Sequence, residues 1–148
     1  MGDEQCLRFG VDNPAPGCAT ILFIPPLFDE SNRLRRTLVL TMRALAARGH
    51  VALLPDLPGQ NDSILPNASA TMAQWRDAIA ALCAQLPAPF IIASWRGGAL
   101  LDDAATGAAG WWRMAPQGGA SLVKMMMRTR IAGDKESGRT TTAQMLRE

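Results

Sequence analysis

Phe90-Ile91-Ile92-Ala93-Ser94-Trp95-Arg96-Gly97-Gly98-Ala99-Leu100 is the stretch that decides the fold. An apolar, β-rich run (Phe90 to Ala93) enters a turn of small residues, and Gly97 to Ala105 reads as helical. A strand that turns abruptly into a helix packs closely against it, so the positions two before and two after the apex must be small. Centring the turn on Ser94 puts Ile92 and Arg96 in those places. Centring it on Arg96 puts Ser94 and Gly98 there, which the packing permits. Arg96 is therefore placed at the apex, Ser94 is only the first small residue, and Gly97 and Gly98 follow.

On either side of this turn, short apolar runs alternate with helical patterns. Ala19 to Ile24 is a buried strand stopped by Pro25 and Pro26. From Ser31 to Arg48 the apolar residues Leu34, Leu38, Met42 and Leu45 fall on one helical face, with Ser31 to cap the start and Gly49 to close the end. Val51 to Leu54 is a second strand, and a loop rich in Pro, Gly, Asn and Asp follows from Asp56 to Ser69. A second helix is predicted from about Met72 to Leu86, opened by a Thr71–Gln74 capping box and stopped by Pro87. Trp111 to Met114 reads as a fourth strand and Ser121 to Ile131 as a Met-rich helix. Gly133 to Thr142 reads as a polar loop, with a last short helix at the end.

This alternation implies βαβ crossovers and an α/β fold with about four parallel strands flanked by helices. The strands lack polar alternation, as expected when both faces are covered. In such sheets the site lies at the carboxyl ends of the strands. Three loops therefore matter: Pro25 to Ser31, Asp56 to Ser63, and Ser94 to Gly98. A single domain is expected, with residues 1–116 as sheet core and 117–148 as a lid-like segment.

Composition narrows the function classes. A net charge of +2, with 19% charged residues, gives no electrostatic reason to expect a nucleic-acid partner. The three cysteines, Cys6, Cys18 and Cys83, form no CxxC pair, so no metal site, cofactor or disulfide framework is expected. Met1 to Gly10 is polar and acidic, without the apolar core of a signal peptide. No apolar run is long enough to span a membrane. A reducing, cytoplasmic compartment fits these features.

The strand–turn–helix around Arg96 resembles the nucleophile elbow, G-x-S-x-G, of α/β-hydrolases. Asp56-Leu57-Pro58-Gly59-Gln60-Asn61-Asp62-Ser63 is similar to the D-x-x-G-x-G-x-S loop of that fold, with Asn61 in place of the second Gly. Pro25-Pro26-Leu27-Phe28 sits where the fold places one oxyanion-hole amide. More narrowly, residues 25–36 (PPLFDESNRLRR) and 44–63 (ALAARGHVALLPDLPGQNDS) resemble the N-terminal signature of the exosortase A system-associated hydrolases, type 2. The resemblance extends over roughly residues 15–148, with Leu122 to Ala132 and Thr140 to Arg147 similar to the lid region. It implies an Arg at the elbow in that group too, and a bacterial cytoplasmic protein linked to exopolysaccharide production and exosortase-dependent sorting. It does not imply a substrate.

Two departures from a full hydrolase bear on activity. The strands that bring the acid and the histidine in the fold are not in this sequence, so a missing C-terminal half is expected. The only histidine, His50, precedes its strand and so belongs at the end of the sheet away from the elbow. A triad needs its base within hydrogen-bond reach of the nucleophile, so no residue is assigned as catalytic.

Three readings follow: an unusual hydrolase of the exosortase system, a pseudo-hydrolase that binds a small acyl or anionic ligand, or a fragment of a longer hydrolase with no function of its own, its sheet edge left for the missing half or a partner to cover. For the second, Leu27, Phe28, Arg96, Gly97 and Asp56 are the candidate ligand-binding residues. A guanidinium beside a helix N-terminus suits a carboxylate or phosphate. A buried Arg96 could equally pair with Asp29, Glu30, Asp56 or Asp62. Asp56 could position a substrate or cap its own turn. Arg33, Arg35 and Arg36, near a helix start, hint at an anion or form a solvated face. Met125, Met126 and Met127, between Lys124 and Arg128, suit a lid over an acyl chain, weak contact with a membrane surface, or simple packing.

Overall fold

The computed structural model describes residues 6–61, 63–66 and 69–138. Its sheet contains β1 (Cys6–Phe9), β2 (Thr20–Ile24), β3 (Val51–Pro55), β4 (Phe90–Trp95) and β5 (Gly110–Met114) in the order β1-β3-β2-β4-β5. The strands β3, β2, β4 and β5 run parallel, as the sequence predicts. The β1 strand was not anticipated. It pairs antiparallel with β3, from Cys6 opposite Pro55 to Phe9 opposite Ala52. Its signal was a faint alternation, with Leu7 and Phe9 half-buried between more exposed neighbours.

Helix α1 (Asp29–Ala46) begins two residues before the expected start. Phe28 is its N-cap and supplies no side-chain cap, and Ser31 is buried inside the first turn instead. Pro25 and Pro26 end the strand, and the positive φ of Phe28 (58°) turns the chain into the helix. Asp29 and Glu30 then lie in the first turn and Arg43 in the last, both favourable to the helix dipole. Helix α2 (Met72–Cys83) has the Thr71–Gln74 capping box in full. It stops three residues before the expected end, and residues 84–86 finish as a tighter turn before Pro87.

The crossover after β4 is not the helix expected over residues 97–105. It is two short 3-10 turns, Arg96–Leu100 and Asp102–Ala104. Helix α3 (Gly119–Glu136) runs longer than expected and takes in the start of the segment expected as a loop. The expected last helix, the lid-like stretch Thr140 to Arg147 and the candidate partner Asp62 lie outside the described residues.

The core forms because alternate strand residues face opposite sides of the sheet. Ile21 and Phe23, Ala52 and Leu54, and Ala93 and Trp95 pack with Leu38 and Met42 of α1, and with Leu7 and Phe9 of β1. Fully burying a side chain such as Phe23 or Leu38 contributes about 1.5–3 kcal/mol. Leu22, Ile24 and Ile92, all fully buried, point to the other face. The return from β3 past β2 to β4 carries α2, and crossovers between parallel strands are right-handed as a rule. The chain divides into two compact units, residues 1–116 and 117–148. In the second unit Arg130 pairs with Asp134 at 3.0 Å along α3. Gln117, Ser121, Lys124, Met125 and Arg128 line an open cleft of about 360 Å³ there.

Candidate functional site

The connection from β2 leads to α1 on one face, and the neighbouring β4 leads toward the opposite face. The switch point of the sheet therefore falls at the carboxyl ends of β2 and β4, where open α/β sheets bind ligands in a crevice. The Phe28 turn forms one wall and the Arg96 turn the other. Among the described residues, four non-glycines have positive φ: Phe28 (58°), Asn61 (48°), Arg96 (54°) and Ala115 (43°). Each follows one of the four parallel strands, on the same end of the sheet. Such conformations are costly for side-chain-bearing residues and concentrate where a fold holds a site.

The elbow is tightest at Gly98. A Cβ there would lie 2.4 Å from the carbonyl oxygen of Pro25 and 2.7 Å from that of Ile24. The contact presses the turn after β4 directly against the end of β2. This is the close approach that assigned Arg96 to the apex, and Gly97 beside it is buried.

Arg96 reaches across the crevice. Its Nη2 donates to Oε1 of Glu30 at 3.1 Å, and its Nε lies 3.4 Å from Oε2. The Glu30 side chain is 17% exposed and that of Arg96 36%. Of the described carboxylates considered as partners, Glu30, in the first turn of α1, is the one that Arg96 meets. Leu27 and Phe28 lie immediately before that turn. Leu27 is fully buried, and the Phe28 ring meets Trp75 edge-on at 5.4 Å between centroids. Trp75 in turn donates from Nε1 to the Pro58 carbonyl at 2.7 Å, fixing the loop after β3.

Asp56 is engaged within the protein. Its Oδ1 accepts from Arg35 Nη1 at 2.8 Å and from Asn61 Nδ2 at 2.9 Å. It closes its own loop and ties that loop to α1. Arg33 pairs with Asp29 at 2.9 Å, so these two cations near the helix start have internal partners. His50 accepts from the Ala19 N–H at Nδ1, at 3.1 Å, where β2 and β3 begin. That is the amino end of the parallel strands, opposite the elbow.

A polar cluster that the sequence reading missed lies beneath the elbow. Ser94 is fully buried and donates from Oγ to Oδ2 of buried Asp102 at 2.8 Å. Arg113 on β5 grips the same carboxylate with two prongs, Nε to Oδ2 at 2.7 Å and Nη2 to Oδ1 at 2.9 Å. Hydrogen bonding to Asp102, and its charge, hold the Arg113 guanidinium above its ordinary pKa. Ser94 is thus occupied as a donor inside the protein. The alternation of β4 could have placed Ser94 on a buried face, but nothing in the sequence pairs it with Asp102.

Among the described residues no group of three or more His, Cys, Asp or Glu side chains could hold a metal ion. Among the described residues no helix is long and apolar enough to cross a membrane.

No protein-family model and no curated protein sequence matches the chain. Solved structures do. Alpha/beta hydrolase domain-containing protein 10 from mouse superimposes with a TM-score of 0.58 at 20% identity, covering 88% of this chain and 52% of its own. A monoacylglycerol lipase from Paleococcus ferrophilus gives 0.56 at 13% identity, covering 88% and 51%. The chain spans about half the length of each, and what it shares with them is the α/β-hydrolase fold.

Proposed function

We propose that this is an α/β-hydrolase-fold protein that binds a small anionic or acyl ligand at the elbow crevice and performs no triad chemistry with these residues. The observation that carries the reading is Arg96. It stands at the apex, at positive φ, and its guanidinium is held in the crevice by Glu30 rather than by a rigid buried network. The pair is part-buried, with a single carboxylate facing the guanidinium, so a ligand carboxylate can take Glu30's place. Ser94 supports the non-catalytic part of the reading, because its hydroxyl is turned to Asp102. So does His50, which is bound at the opposite end of the sheet. A nucleophile without a base nearby is weak. Leu27, Phe28 and Gly97 would supply walls and backbone amides.

The likeness of residues 25–36 and 44–63 to the exosortase-associated hydrolases supports a bacterial exopolysaccharide and protein-sorting context. The free thiols Cys6, Cys18 and Cys83 fit a cytoplasmic location. The test is equilibrium binding of butyrate, with ester hydrolysis followed in parallel. Saturable binding that is lost in Arg96→Ala supports the reading. Ester turnover abolished by Ser94→Ala would replace it with a catalytic one.

One observation favours a second reading, in which these residues form half of a larger hydrolase. The β5 strand is an edge of the sheet, and Trp111 and Trp112 on it are 48% and 47% exposed. Such an edge is a template for further strands. A native mass near twice 15.9 kDa for the protein in its source cells would support that reading.

A further inference from the structure

Gln60 is only 5% exposed, and neither Nε2 nor Oε1 of its amide has a hydrogen-bond partner among the described residues. Among the described residues Trp95 and Gln117 also bury a polar side-chain atom without a partner, but Gln60 alone does so with a donor and an acceptor together. Buried polar groups are nearly always bonded, and one that is not is destabilising, whereas an apolar side chain of similar shape would not be. The loop around it is not slack. The Gln60 N–H donates to the Leu57 carbonyl at 2.9 Å, and its carbonyl accepts from Ser63 N–H at 3.0 Å. Gly59 N–H donates to Ser63 Oγ at 2.9 Å, and Asn61 Nδ2 is bonded to Asp56. The amide is therefore held by a loop that is tied down on both sides of it, at Gly59, Asn61 and Ser63.

The position of that loop gives the amide a use. It follows β3 at the carboxyl end of the sheet, on the same side as the elbow. Asn61 Nδ2 also lies 3.5 Å from Ser31 Oγ, which ties the loop to the first turn of α1, the turn that carries Glu30.

We propose that Gln60 reads a neutral polar group on the ligand held by Arg96, and that this ligand is a short hydroxy- or amido-carboxylate. The proposal rests on the crevice reading above. A carboxamide presents one acceptor and two donor hydrogens side by side. A ligand hydroxyl answers both, accepting from Nε2 and donating to Oε1. A ligand amide does the same with its C=O and N–H. A plain carboxylate satisfies Arg96 and leaves Gln60 as it is. Sites built around such buried groups reject analogues that lack the matching atoms, because the orphaned atoms then stay unpaired.

The test is calorimetric titration of butyrate, 3-hydroxybutyrate and N-acetylglycine into the wild-type chain, Glu30→Gln, Gln60→Met and Gln60→Leu. The proposal expects a substituted carboxylate to bind the wild type at least about tenfold tighter than butyrate. In both Gln60 variants that preference disappears, while butyrate affinity changes by less than about twofold. Both variants, unliganded, melt no lower than the wild type. Equal affinities for all three ligands in the wild type overturn the role of Gln60 and leave the crevice reading standing. A preference that survives in both Gln60 variants overturns it as well. Failure of all three ligands to bind the wild type and Glu30→Gln overturns both readings.

Discussion

Glu30 meets Arg96 across the crevice between β2 and β4, joining the first turn of α1 to the apex of the elbow at 3.1 Å. The pair puts an internal carboxylate where the fold's geometry favours an anion. Glu30 thereby both satisfies the guanidinium in the unliganded protein and competes with any carboxylate that enters. Everything beneath the pair is fixed: Gly98 is pressed on the end of β2, and Ser94 is bonded to Asp102. The exchangeable contact is the one at the crevice.

Gly98→Ala tests the elbow's packing. Its new Cβ would meet two backbone carbonyl oxygens that cannot step aside by rotating a side chain. Destabilisation of about 2–3 kcal/mol is expected, read as a lower denaturation midpoint. Gly133→Ala, with open space around it, is the control.

The apex itself is conformationally strained. Arg96→Gly relieves the positive φ, whereas Arg96→Ala keeps it, and both lose the Glu30 contact. Chemical denaturation should find the Gly variant more stable than the Ala variant by about 1 kcal/mol. Equal stability would mean that the apex is not held at positive φ.

Ser94→Ala removes a hydrogen bond to a buried carboxylate, and should cost about 1.5–3 kcal/mol of stability. Butyrate affinity should not change, because the hydroxyl faces Asp102. A variant with normal stability and no binding would instead place Ser94 in the site.

Burial pushes the Cys83 thiol above its ordinary pKa. Between the ordinary value and the raised one the folded chain holds more protons than the unfolded chain. Stability is therefore full below the ordinary value and falls as pH rises through the raised one. In Cys83→Ala the alkaline fall in denaturation midpoint should be shallower.

The parallel strands, α2 with its cap, and the tight turn after β4 were legible because each depends on local signals: apolar runs, capping chemistry and small-residue spacing. The turn was legible because Gly98 is a steric requirement that a sequence displays. Pairing partners were not. Four acidic residues were open to Arg96, and only the fold places Glu30 opposite it. The Ser94–Asp102–Arg113 cluster joins β4, a 3-10 turn and β5, and no periodicity encodes that meeting. The β1 strand was missed because it is short and borrows its stability from pairing with β3 rather than from a strong pattern of its own. The second 3-10 turn replaced a predicted helix where Asp102 bonds to Ser94 and Arg113, a tertiary preference that outweighs local propensity.

The most direct test of the central claim is butyrate affinity in Glu30→Gln, compared with the wild type and Arg96→Ala. Removing the competing charge while keeping the side chain's shape should tighten binding by about tenfold, on the scale of a charge-assisted hydrogen bond, and Arg96→Ala should bind nothing measurable. Unchanged affinity in Glu30→Gln, or binding that persists in Arg96→Ala, would contradict the account.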